Sequence, residues 1–255
     1  MTRLLRLLWL NIARQFLTWS GSWWFAVALA AGQILPPLIG LAVWRTVFPD
    51  SSRVSTYYLA VLFIVASTAS FENHTFSQGI YKGTLAGELV KPQPAVLLPL
   101  GENIAIRAWI TLITLPVVAL VASVLTVSFD AGALLVAAPL WLGAGFLRFL
   151  FMWCLALTAF WTERVHAITA FGTTLLYMLG GNAIPVDLLP SFWSALARGL
   201  PFYSIIGLPA DAAAGESGQR LLMGAIVQVG WLLVMGAISL VLWRRGLNRY
   251  AAVGG

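Results

Sequence analysis

Charge is what this sequence lacks. Charged residues make up 9% of it and hydrophobic residues 60%, against roughly a quarter charged in a typical soluble domain. A chain so poor in charge cannot clothe a water-facing surface, so lipid must be its main solvent. Cysteine is nearly absent. Its single copy, Cys154, excludes an internal disulfide framework. Histidine occurs twice, as His74 and His166, and no HExxH, CxxC or GxSxG pattern accompanies either. No phosphate-binding GxxxxGK[ST] loop is present, so the chain has no such route to ATP hydrolysis. No small-residue cleavage site follows a compact apolar core near the N-terminus, and the chain is read without a cleavable leader. The net charge of +6 is scattered over short loops and ends. That scatter suits the bias of membrane proteins toward basic inner loops and argues against nucleic acid as a partner.

What is abundant is apolar helix. Six segments, 22–46, 56–78, 103–127, 132–159, 165–181 and 220–243, approach or exceed the roughly 20 residues that a crossing requires. The expected fold is all-α and polytopic, with residues 1–255 as one transmembrane domain. The twelve Trp and six Tyr suit interfacial belts. Residues 1–20 read as a basic amphipathic helix in the membrane interface. Leu5, Trp9, Ile12, Phe16 and Trp19 share one face, while Arg3, Asn11, Arg14, Gln15 and Thr18 share the other. The alternative is an extension of the first span. With the N-terminus inside, ten basic residues (Arg3, Arg6, Arg14, Lys82, Lys91, Arg107, Arg164, Arg244, Arg245, Arg249) fall on the inner side. Four (Arg45, Arg53, Arg198, Arg220) fall outside, which predicts both termini in the cytoplasm.

Two loops interrupt the spans. Residues 79–102 form a cytoplasmic loop in which a short helix over 84–90 is predicted, closed by Pro92 and Pro94. Residues 182–204 are apolar yet broken by Pro185, Pro190 and Pro201. Irregular backbone at membrane depth must be buried in protein or face a cavity. An outer re-entrant helical hairpin is therefore expected over 182–204, with Phe192 and Trp193 as anchors, Asp187 and Ser204 open to the outer side, and Asp211 in an outer loop.

Polar chemistry inside the spans is sparse. Glu72 and Arg148 fall at similar depth on two inward-running spans, so a salt bridge between them is predicted, with Arg107 as the competing partner of Glu72. No catalytic, cofactor or metal site is assigned. One Glu and one His, Glu72 and His74, fall short of the three protein ligands of a catalytic zinc. Two rival readings are a secondary transporter, which needs inverted repeats not seen here, and an intramembrane enzyme using Glu72 and His74.

The run Ile80-Tyr-Lys-Gly-Thr-Leu-Ala-Gly-Glu-Leu-Val-Lys-Pro92 resembles the I-x-x-G-x-L-x-x-x-L-x-[KR]-P stretch of type-2 ABC (ATP-binding cassette) exporter permeases. Trp44-Arg45, Tyr57-Tyr58, Ala159-Phe-Trp161, Gly180-Gly with Ile184-Pro185 and Leu189-Pro190, and Leu200-Pro-Phe-Tyr203 are similar to that family in the same order. The resemblance covers essentially the whole chain. It implies a multi-pass permease of the inner or plasma membrane that forms half of an export pathway. Two copies of a separate ATPase would carry ATP and Mg. The nearest subgroup pairs two different permeases, which implies a heterodimer. In the family the 80–92 run is the coupling loop, so Gly83, Leu85, Glu88, Leu89, Lys91 and Pro92 are expected to meet the ATPase. Glu88 is the polar contact, and Leu85 and Leu89 the apolar anchors. The resemblance leaves the cargo open.

Overall fold

One hydroxyl cap and one carboxylate cap mark where two helices of the computed structural model begin. The model describes residues 3–49 and 51–250. Ser51 accepts from the Val54 N–H at 3.2 Å, and Asp130 from the Ala133 N–H at 2.7 Å, satisfying donors that a helix start leaves free. Twelve α-helices follow among the described residues: α1 (Arg3–Gly21), α2 (Trp23–Val47), α3 (Ser52–Ser67), α4 (Glu72–Tyr81), α5 (Leu85–Leu89), α6 (Leu97–Val124), α7 (Ala131–Leu157), α8 (Val165–Leu179), α9 (Ser191–Gly199), α10 (Pro201–Ile205), α11 (Gly207–Ala213) and α12 (Gln219–Arg249).

Four helices are long and apolar enough to cross a bilayer: Trp23–Val47, Leu97–Val124, Ala131–Phe160 and Gln219–Arg249. The other two expected spans differ. Residues 56–78, read as one helix, are two, because the chain leaves helix between Ser67 and Glu72. Residues 165–181 hold only the 15-residue α8.

The N-terminal helix is a separate element, not an extension of α2. It lies along the first half of α6. Phe16 stacks on Trp109 with centroids 5.1 Å apart, and the Trp109 indole donates to the Phe16 carbonyl at 3.0 Å. Gly101 makes this approach possible, since a Cβ there would stand 2.8 Å from that of Asn11.

The most continuously buried stretch runs from Pro201 to Ala213, through α10 and α11. It packs into the main core with Tyr57, Val61 and Ile64 of α3 and Leu147 and Phe151 of α7. Long apolar faces of α2, α6, α7 and α12 remain uncovered, as lipid-facing helices require.

Candidate functional site

At the break between α3 and α4, polar side chains replace backbone partners. Ser67 Oγ donates to the Phe63 carbonyl at 2.7 Å and Thr68 Oγ1 to the Ile64 carbonyl at 2.6 Å. Such back-bonding competes with the ladder. The Ala69 N–H goes to Ala66, so the Val65 carbonyl needs another donor. Arg148 supplies it. Its Nη1 donates to Val65 O at 2.9 Å and Thr68 Oγ1 at 3.1 Å, and its Nη2 to Gln33 Oε1 at 3.2 Å. Arg107 treats the next turn likewise. Its Nε donates to Ala69 O at 2.8 Å, and its Nη2 to Ser70 Oγ at 2.7 Å and Gly145 O at 2.9 Å. Gly145 leaves room for this guanidinium, because a Cβ there would lie 3.2 Å from Nη1. Two cations thus sit at the negative end of the α3 dipole.

This corrects the expected Glu72–Arg148 salt bridge. Among the described residues no ion pair joins them. Freed carbonyls at a helix end offer Arg148 several acceptors at once, which one carboxylate does not. Of the two arginines, Arg107 exerts the larger attraction on Glu72. Glu72 is 2% exposed, and neither carboxylate oxygen makes a hydrogen bond of ordinary geometry. It lies on the wall of a cavity of about 810 Å³ between α1, α2, α4 and α6. His74 shares that wall and stacks on His166 with ring centroids 5.5 Å apart. No group of three His, Cys, Asp or Glu side chains placed to hold a metal occurs among the described residues.

The turn after α8 is held from two helices. Tyr57 Oη donates to Gly181 O at 2.8 Å and Tyr58 Oη to Ala183 O at 3.2 Å, and Trp44 Nε1 reaches the same Ala183 carbonyl at 3.0 Å. Gly181 has φ +91°, and a Cβ there would collide with the Tyr57 hydroxyl. The scattered motifs Trp44-Arg45, Tyr57-Tyr58 and Gly180-Gly are therefore one structural unit. Pro185 and Pro190 precede the next two helical turns, and Pro201 opens α10. Phe192 and Trp193 are 69% and 51% exposed.

Two residues expected open to the outer side or in an outer loop lie elsewhere. Ser204 is fully buried, and Asp211 is buried with its carboxylate accepting from Tyr203 Oη at 2.7 Å. The apolar run does not end at Tyr203. Ile205, Ile206, Leu208 and the alanines of α11 carry it on into the core. Asp187 joins an ion network with Arg53 at 3.3 Å, Arg220 at 3.7 Å and Arg198. Glu216 joins it through Arg53 at 2.6 Å. The network ties the starts of α3 and α12 to α9.

In the 79–102 loop, a helix forms over Leu85–Leu89. Gly83, at φ +71°, turns the chain out of α4, a conformation that favours glycine. Leu85 was expected to face outward with Leu89. Instead it is 2% exposed and packs with Ile80, Trp153, Leu157 and Phe160. The tight turn at Gly83 points the first residue of so short a helix back at the bundle. Leu89 and Val90 face out, Val90 at 83%. Lys91 pairs with Glu88 at 2.6 Å, and Pro92 follows. Beneath the loop, Tyr81 Oη donates to Thr162 O at 2.9 Å, while Phe76, Trp153 and Trp243 pack ring against ring. Ala159-Phe-Trp161 belongs to this cluster through Phe160, which Gly246 admits at close range.

Sequence reasoning missed the arginine-held break and Gln228. The signal for the break was the run Ser67-Thr68-Ala69-Ser70 of small, mostly hydroxylated residues opposite two intramembrane arginines. Gln228, buried in α12, donates to Leu140 O at 2.9 Å and Ser204 O at 2.8 Å. It thereby binds α12 to α7 and α10.

A family described as ABC-2 family transporter protein matches residues 50–254. Monocarboxylate transporter 11 of Homo sapiens is 40% identical over 94 residues, which are 34% of this chain and 19% of that protein. The chain thus spans about a fifth of that relative's length, and nothing of that transporter's activity is carried over.

Proposed function

This chain belongs to the ABC-2 transporter family, and we propose that it is the permease subunit of an exporter driven by a separate ATPase. The family provides the membrane transport component. In our reading α2, α3 with α4, α6, α7, α8 and α12 make six crossings, both termini are cytoplasmic, and α1 lies in the inner interface. The 15-residue α8 is only about 22 Å long, short of the roughly 30 Å hydrocarbon core. The buried helices α10 and α11, reached through α9, fill the remaining depth as a re-entrant hairpin from the outer side. A second permease chain, in our reading a different one, completes the pathway in the plasma or inner membrane.

The observation that carries this reading is the two-sided helix α5. Its inner side is fixed through Leu85 to the aromatic cluster of α4, α7 and α12. Its outer end presents Leu89, 39% exposed, and the capping Val90, 83% exposed. A short helix that is rigidly backed and bare outside can pass a push from an ATPase to three long helices. ATP and Mg would be held by that partner, in two copies. Glu88, Lys91 and Pro92 would shape the contact, and Gly83 would set its angle. The test is affinity purification of the full chain in mild detergent. An ATPase subunit with Mg-dependent ATP hydrolysis should co-purify, and purification of the chain without one would refute the reading.

A further inference from the structure

We propose that the cavity between α1, α2, α4 and α6 binds the charged end of an amphipathic alkylammonium. The cavity holds about 810 Å³, within the range of small-molecule sites. Its wall carries two carboxylates, Glu72 and Glu102, and no lysine or arginine. Glu102 is positioned by Gln15, whose Nε2 donates to Oε1 at 2.8 Å. Neither Glu72 oxygen makes a hydrogen bond of ordinary geometry despite near-complete burial; only the Asn103 amide and the Glu72 backbone N–H face it, more loosely. Leaving a buried carboxylate without a well-made hydrogen bond is strongly unfavourable, and a cation entering the cavity removes that penalty.

Positive charge does stand behind the wall, because Arg107 and Arg148 both attract Glu72. Arg107 Nε and Nη2 and Arg148 Nη1 and Nη2, however, donate to Ala69, Ser70, Gly145, Val65, Thr68 and Gln33, Arg148 Nε has no partner, and neither arginine is on the cavity wall. Arg14 attracts Glu102 in the same way without lining it.

The remainder of the wall suits the same ligand. Trp19, Trp24, Phe25 and Phe71 line it. Trp19 and Phe25 stack at 5.7 Å with nearly parallel rings, 4° apart. Aromatic faces attract ammonium groups and accept alkyl chains, so one wall serves both ends of such a molecule. An anionic amphiphile would meet two carboxylates, and a neutral one would leave Glu72 unsatisfied. The ammonium belongs either to a soluble lipophilic cation or to an amine-bearing lipid headgroup. As a statement about cargo, the inference rests on the permease reading. As a statement about binding, it stands on the cavity alone.

The test uses the full chain in nanodiscs of phosphatidylglycerol, with radiolabelled dodecylammonium, whose N–H groups can donate to Glu72, as probe and empty discs as background. Saturable binding is expected. Dodecyl sulfate and dodecanol should compete poorly. Glu72→Gln should weaken binding about tenfold or more, the loss of a charged contact, while Glu72→Asp should restore most of it. Monodispersity of each variant establishes that the chain is folded, and Glu102→Gln gives an independent reading of the same site. Discs containing phosphatidylethanolamine separate the sources. A several-fold weaker apparent affinity there identifies the lipid headgroup, and unchanged affinity identifies the soluble cation. Equal competition by dodecyl sulfate, or wild-type binding by folded Glu72→Gln and Glu102→Gln chains, overturns the inference. Absence of binding in a chain that still co-purifies with an ATPase defeats the cation site and spares the permease reading. Binding without any ATPase partner does the reverse.

Discussion

Replacing Arg148 with lysine separates two accounts of the intramembrane charges. In the structure the guanidinium spans Val65 O, Thr68 Oγ1 and Gln33 Oε1 with two nitrogens. A lysine keeps the charge but brings one compact ammonium, which cannot reach acceptors on both sides. At least one buried acceptor is then left bare, at about 1–3 kcal/mol, and Arg148→Gln leaves two or more, at about 2–5 kcal/mol. At roughly 2–4 °C per kcal/mol for a chain of this size, Arg148→Gln should lower the midpoint of thermal aggregation by on the order of 10 °C. Arg148→Lys should lower it by about half as much. Fluorescence-detected size exclusion after heating measures both. Glu72→Gln should cost less than either and should not be rescued by the second substitution. If Arg148→Lys is as stable as the parent, or if the Glu72→Gln, Arg148→Gln double variant recovers stability, the two side chains form an ion pair and the reading of the helix break is wrong.

Two further outcomes follow from local geometry. Gly181→Ala should cost about 2–3 kcal/mol, from its left-handed backbone and the displaced Tyr57 hydroxyl, read as a lower midpoint; an unchanged midpoint would mean that the turn is not clamped. Leu85→Asp should reduce the yield of folded chain, because Leu85 is core. Val90→Asp should leave that yield intact and lower ATPase association instead, both quantified by size exclusion.

Much of this was legible in residue patterns. The helix over Leu85–Leu89 follows from glycine and proline punctuation, and α1 from its two-faced wheel. Four long spans follow from hydropathy. The break at 68–71 was not legible, because apolar residues run up to Ser67 and polar ones are common at span ends. Only the third dimension shows that Arg107 and Arg148, on two other helices, converge on its carbonyls. The burial of α10 and α11 escaped for a related reason. Pro201 and Asp211 read as loop chemistry, yet Tyr203 and the ring of α3, α7 and α12 make that stretch core. The inward direction of Leu85 follows a left-handed turn at Gly83, which a glycine permits but does not announce.

The central claim is that α5 is where a separate ATPase pushes on this chain. Site-specific photo-crosslinking from position 90 tests it most directly, with position 85 as the internal control. A benzophenone side chain at 90, on the bare face, should crosslink to the ATPase in membranes in a nucleotide-dependent manner. The same group at 85 should crosslink only within the permease. Crosslinks from 90 to lipid alone, in membranes that contain the co-purifying ATPase, would contradict the account.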